Sequence, residues 1–237
     1  MKLTIERLIL LRCLGHIQNI VERRNTIPIL SNVRMEATSG QLKLHATDMD
    51  LDVVESVEAK VDAEGATTVP AHILYDITRK LPEGSEVELT TSGGGQMFLS
   101  SGRSEFTLSC LSPDEFPSMG GDDFNHSFSL ESKSLRSLID RTKFAISNEE
   151  TRYYLNGIYF HRANNGKFEV LRTVSTDGHR LASSEIKLPS GAENIPGVIV
   201  PRKTVIELRK LIDEFDEEIK LSLTETKIRF EFGDIVV

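Results

Sequence analysis

Asp177, Gly178, His179 and Arg180 stand in a row within TVSTDGHRLASSE, residues 173–185, between two stretches that read as strands. In a hydrolase or a metal enzyme these residue types could act together. An Asp177 carboxylate would orient the His179 imidazole as a general base, and an Arg180 guanidinium would hold an anion. The rest of such a site is missing from the sequence. There is no GxSxG elbow and no HExxH pair, and the six histidines (His16, His45, His72, His126, His161, His179) are scattered rather than clustered. Asp-Gly is also a turn-forming pair, because glycine reaches φ > 0 without steric cost. The expectation is a loop that binds, with no catalytic residue, no metal ligand set and no cofactor.

A chain of 237 residues exceeds the usual single-domain size, which points to two domains of about 120 residues. Hydrophobic content of 39% with 27% charged residues suits a soluble globular protein with a real core. No apolar run approaches the roughly 20 residues that span a bilayer. In MKLTIERLIL, Glu6 and Arg7 fall where a signal peptide needs its apolar segment. Cys13 and Cys110 make no disulfide framework and are expected as buried thiols of a cytoplasmic protein. The formal net charge of -8 argues against a nucleic-acid partner unless the two signs are segregated along the chain.

An internal repeat supplies the organisation. Leu3–Ile5 returns as Phe128–Leu130, 125 positions on, and ILSNV from Ile29 returns as YLNGI from Tyr154 at the same offset. ATDMDL from Ala46 matches STDGHRL from Ser175 at 129, and the block from Thr68 matches the block from Ile199 at 131. Gly102 of FLSSGRSEF aligns with Gly233. Ordered blocks with slowly drifting offsets mark a duplicated unit. The boundary falls in the Pro-, Gly- and Asp-rich SPDEFPSMGGDDFNHS, giving domains 1–122 and 123–237. Each unit reads as a short strand, a helix, alternating strands such as QLKLHAT and DLDVVESVEAKV, a second helix after Pro70 or Pro201, and closing strands. The fold class is α+β, with two helices on one face of antiparallel sheets.

The helices settle the charge question. Leu10, Leu14, Ile17 and Val21 form one apolar stripe, and Arg12, His16, Asn19 and Arg23 recur at the same spacings on the opposite side. Leu74, Ile77 and Leu81 oppose His72, Asp76 and Arg79. Leu135, Leu138, Ile139 and Thr142 oppose Lys133, Arg136, Asp140 and Lys143. Val205, Leu208 and Ile212 face away from Arg202, Lys203, Arg209 and Lys210. Positive charge therefore gathers on helix faces while acid gathers in DMDLDVVESVE, SPDEF and DEFDEE. No zinc spacing, helix-turn-helix signature or aromatic RNA motif accompanies these faces, so phosphate contact without base readout is expected. Two other classes stay open on these residues alone: a two-domain α+β enzyme, and a repeat-built scaffold that binds only proteins.

The layout, with TIPILSNV, GATTVPA, LPEG, SGRSEF, LSPDEFP, RYYLNGI, TDGHRLA and VPRKTVIEL, resembles the bacterial replicative sliding clamps, the β subunits of DNA polymerase III, from Met1 to Val237. The resemblance implies a homodimeric ring of repeated DNA-clamp domains around double-stranded DNA, with no bond-making step. Partners would be DNA polymerase and clamp-loader subunits, which dock short peptides. It implies a peptide groove bordered by Leu155, Thr176, Asp177, Gly178, His179, Arg180 and Leu181, where the turn projects His179 and Arg180 beside two apolar residues. Implied DNA contacts are Arg24, His72, Asn148, Glu149, Tyr153 and Tyr154, joined by Arg136 and Lys203 from the helix faces. His72 stands where many members carry Arg, and Glu149 where well-known members carry a neutral amide, so the face is less basic here. SGRSEF matches the edge at which subunits meet, which places Arg103 and Phe106 at a dimer interface. In the repeat, Val237 falls on Phe106, and the first unit continues through TLSCLSPDEFP without a counterpart in the second. The expectation is therefore that the second domain lacks its final strand, that a third clamp domain is absent, and that these residues alone close no ring.

Overall fold

The computed structural model describes residues 1–23, 25–117, 123–149 and 151–237. It divides into two units, one of Met1–Gly120 with Asp234–Val236, the other of Gly121–Gly233 with Val237.

In the first unit, strand β1 (Lys2–Glu6) runs directly into helix α1 (Arg7–Ile17). Strands β2 (Asn32–Thr38), β3 (Gln41–Thr47), β4 (Asp52–Glu58), β5 (Lys60–Ala63) and β6 (Gly65–Pro70) follow, then helix α2 (Ala71–Lys80). Strands β7 (Glu86–Ser92), β8 (Gln96–Ser101) and β9 (Ser104–Ser109) close it. One sheet has the order β5-β1-β7-β8-β9, and a second runs β4-β3-β2-β6, all pairings antiparallel. Alternation drives this: QLKLHAT of β3 buries Leu42, Leu44 and Ala46 and turns Gln41 and Lys43 outward. DLDVVESVEAKV, read as one strand, is two. At Ala59 the backbone N–H makes the last bond of the β3–β4 register, to the Gly40 carbonyl, and the residues beyond it pair with β1.

The second unit repeats the plan with β10 (His126–Glu131), α3 (Ser132–Asp140), β11 (Gly157–Asn164), β12 (Glu169–Thr176), β13 (Leu181–Lys187), β14 (Val198–Pro201), α4 (Arg202–Glu214), β15 (Glu218–Leu223) and β16 (Ile228–Phe232). Its sheets are β13-β12-β11-β14 and β10-β15-β16. The last strand, β17 (Ile235–Val236), belongs to the first unit, where Ile235 pairs with Glu55 and Val236 with Val54 of β4.

Every helix begins straight from a strand with no side-chain cap, after Glu6, Pro70, Glu131 or Pro201. Orphan N–H groups at helix starts need a partner. Here a neighbouring loop supplies carbonyls: Arg7 N–H donates to Ser85 O, Ser132 N–H to Glu217 O and Arg202 N–H to Asn156 O. Ser85 and Glu217 follow α2 and α4 at matching places, so the duplication extends to the capping. The apolar stripes are buried as the periodicity predicts: Leu10, Leu14 and Ile17; Leu74; Leu135, Leu138 and Ile139; Val205, Leu208 and Ile212. Burying each such side chain contributes roughly 1.5–3 kcal/mol. Helix α1 is shorter than its stripe. It ends at Ile17, and the Ile20 N–H returns to Ile17 O, so Val21 is buried from a turn rather than a helix. Of the two thiols, Cys13 is buried and Cys110 half-buried, and both are free.

Candidate functional site

The Asp177–Arg180 loop closes the β12–β13 hairpin, in which Thr176 pairs with Leu181. Its carboxylate is wholly engaged in the turn. One oxygen of Asp177 accepts the backbone N–H groups of His179 and Arg180, both at 3.0 Å, and the other accepts Arg180 Nε at 2.9 Å. Thr176 Oγ1 accepts the Gly178 N–H and donates to the Arg180 carbonyl at 2.7 Å. Gly178 supplies the positive φ of 89° that the turn requires. The His179 and Arg180 backbone donors, with the Arg180 guanidinium, pull the Asp177 pKa down to about 2. Asp177 therefore shapes the loop and does not hold the His179 ring as a base. No group of three or more His, Cys, Asp or Glu among the described residues could hold a metal ion.

A second segment meets this loop. Helix α3 ends at Asp140, and two residues on the Thr142 hydroxyl donates to Leu138 O while its carbonyl accepts Ser175 Oγ at 2.5 Å. The 3₁₀ turn Lys143–Ala145 then puts Phe144 outward, 55% exposed, with the Arg180 guanidinium 5.6 Å from its ring centre. Beyond it, Ser147 N–H donates to Leu155 O and Leu155 N–H to Arg152 O, which brings Leu155 back to Ser147. Arg152 pairs with Glu149 at 2.8 Å, and its guanidinium lies 3.9 Å from where a side chain on Gly178 would begin. Leu155 is half-buried, Leu181 is 67% exposed, and Tyr153 and Tyr154 stand out edge to face with centroids 5.5 Å apart. Asn148 and Glu149 are exposed on the same segment. Around the turn, Phe144 and Leu181 are exposed apolar side chains and Leu155 is half-buried, while Arg180 lies over the Phe144 ring and the Arg152 guanidinium approaches Gly178. Sequence reasoning missed Phe144 and Arg152. The available signal was that Phe144 falls off the apolar stripe that ends at Thr142.

The helix faces differ from the simple rows the spacing predicts. In the first unit Arg12 and Arg23 are exposed, and Arg24 lies outside the described residues. His16 does not join that face: its Nδ1 meets the buried Glu55 carboxylate at 2.8 Å, a partner 39 residues away that periodicity cannot reveal. His72 is half-buried with Nε2 2.8 Å from the Val21 carbonyl. Arg7 is buried and donates to the Thr78 and Arg79 carbonyls at the end of α2. In the second unit Lys133 is exposed and Lys203 half-buried. Arg136 pairs with Asp213 at 3.2 Å and donates to Ile212 O. Arg209 bridges Asp140 and Asp213, Lys143 meets Asp140 at 2.6 Å, and Lys210 meets Glu207 at 2.8 Å. Partial burial raises the Asp140 pKa, but the Arg209 and Lys143 hydrogen bonds outweigh it and hold the carboxyl below its usual range. Phe106 sits on β9, the edge of its sheet, 38% exposed, and Arg103 is exposed in the preceding turn.

Each unit, a helix pair with antiparallel sheets, has the clamp fold. The DNA polymerase III beta subunit N-terminal-domain model matches residues 1–120 and the central-domain model matches residues 129–237. The chain belongs to the DNA polymerase III beta subunit family. It is 50% identical to the beta sliding clamp of Caulobacter vibrioides over 98% of its length and 39% identical to that of Escherichia coli K12 over all of it. It spans 63% of the length of each of these curated relatives. Its fold matches a crystal structure of the Caulobacter crescentus beta sliding clamp at a TM-score of 0.97 and 49% identity. A Bartonella birtlesii sliding clamp solved with griselimycin gives 0.96 and 48%. Each comparison covers 100% of this chain and 63% of the solved chain.

Proposed function

We propose that this chain acts within a sliding clamp, a processivity factor that surrounds double-stranded DNA without reading its sequence and tethers replication proteins by short peptides. It works in the cytoplasm, as a homodimeric ring, makes no bond itself and needs no cofactor. Residues 1–122 and 123–237 serve as two clamp domains. Arg12, Arg23, Arg24, Lys133 and Lys203 supply charge to the phosphates, and Asn148, Tyr153 and Tyr154 add polar and stacking contacts. His72, Glu149 and Arg136 are further contacts, each also tied to a partner within the chain. Arg103 and Phe106 contribute to the subunit interface. Polymerase and clamp-loader peptides dock at Leu155 and Thr176–Leu181.

The observation that carries this reading is the Asp177 carboxylate, fully engaged in its own turn beside an exposed apolar surface. That is the arrangement of a recognition loop and leaves no general base. Replacing His179 and Arg180 together by Ala should weaken a polymerase-derived peptide by about 1–4 kcal/mol, the usual range for central contacts, while the unfolding temperature holds. Unaltered peptide affinity in that variant would refute the groove assignment.

A further inference from the structure

We infer that Phe144 is a positioning residue of the peptide groove, whose ring seats the Arg180 guanidinium and so fixes it as a wall of the site rather than a receptor for an anion. This rests on the groove reading above and adds to it a residue outside the loop.

Phe144 has no core to serve. Its neighbours Ala145 and Ile146 are buried, as are Leu138, Ile139 and Thr142 of the preceding stripe, while Phe144 itself is 55% exposed. What its ring does meet is Arg180, 5.6 Å from guanidinium carbon to ring centre. A cation within about 6 Å of an aromatic face is attracted by the ring quadrupole. The same guanidinium is held by the Asp177 carboxylate at 2.9 Å. Arg180 remains 59% exposed in its side chain, so without both holds it would sample many rotamers. Bracketed between carboxylate and ring, it is ordered before any ligand arrives, and its charge already has a counter-ion. Phe144 at 55% and Leu181 at 67% remain exposed for a peptide to meet, and both would take an apolar side chain. The backbone supports the arrangement: the Ser175 hydroxyl ties the strand that enters the loop to the Thr142 carbonyl, two residues before Phe144.

Ordering one long side chain in advance is worth roughly a 3- to 10-fold gain in affinity. The test uses the full natural polypeptide carrying Phe144→Tyr, Phe144→Leu or Phe144→Ala. The probe is a fluorescein-labelled peptide, the tightest binder to wild type among tiles of the same organism's replicative polymerase. Tyr keeps the ring face and should bind within about twofold of wild type, whereas Leu, though apolar, should bind roughly 3- to 10-fold more weakly, as should Ala. The Arg180 Nε–H resonance should lose its ring-current shift in Phe144→Leu and keep it in Phe144→Tyr, a signature that a general packing role would not give. Equal peptide affinity in wild type and Phe144→Leu overturns the role of Phe144 alone. If no tile binds wild type, the groove reading falls, and this inference with it.

Discussion

In the first unit, α1 and α2 are fastened by side chains that reach backbone carbonyls. Arg7 spans to Thr78 and Arg79, and His72 reaches back to Val21. In the second, α3 and α4 are fastened mainly by carboxylates between the helices, Asp140 with Arg209 and Asp213 with Arg136. The first lock is buried and the second is half in water. The difference teaches how to count charge on a binding face. Formal counting credits α3 and α4 with Arg136, Lys143, Arg209 and Lys210, yet all four meet a carboxylate within 3.2 Å. The net positive charge of that face is lower than the number of cations suggests, and the residues left to set it are those outside the network, such as Lys133.

The sharpest way to break this comparison is to cut each lock. Arg7→Ala leaves two helix-end carbonyls without their charged donor in a buried site, and should cost about 3 kcal/mol in urea unfolding, insensitive to salt. Arg209→Ala should cost about 1 kcal/mol or less, since half-exposed pairs are screened, and the loss should shrink further in 1 M salt. Equal costs for the two variants would erase the distinction.

A smaller effect sharpens it. Asp140 and Asp213 both have pKa values held below the usual carboxylate range. For Asp140 burial opposes the shift and Arg209 and Lys143 outweigh it; for Asp213 the Arg209 hydrogen bond leads. A depressed folded-state pKa means stability that is present above the unfolded value near 4 and is lost as pH falls through the folded value. The second lock should therefore loosen as pH falls below about 4, a small effect because water screens side chains this exposed. Asp140→Asn should reduce that acid-side slope, while Arg7→Ala should leave it unchanged, as followed by unfolding midpoints from pH 7 to pH 3.

Much of the architecture was legible because it is written in periodicity. The stripes of the four helices, the alternation of β3 and the ordered repeat each follow from local spacing. What spacing could not show are the places where a distant partner decides. The break at Ala59 depends on Gly40, in another hairpin. His16 lies on the polar side of α1 by rotation, yet turns to Glu55 because a buried carboxylate needs a donor. At the site, the Asp-Gly pair announced the turn, but the one local mark on Phe144, its place off the apolar stripe, could not name its partner, a cation 36 residues further on. The resemblance placed the loop and the tyrosines. It could not show that the Asp177 carboxylate is fully occupied, which depends on side-chain geometry.

The proposal that rests most on these helix faces is that their exposed cations hold duplex DNA by charge alone. The most direct measurement is retention of the full natural polypeptide on circular duplex DNA across a salt series, comparing wild type with Arg12→Glu, Arg23→Glu and Lys133→Glu combined. None of these three is placed in either lock. Binding by charge should give weaker retention in the variant and a shallower dependence on salt, because fewer counterions are released, with no change in peptide affinity. Retention and salt slope equal to wild type would contradict it.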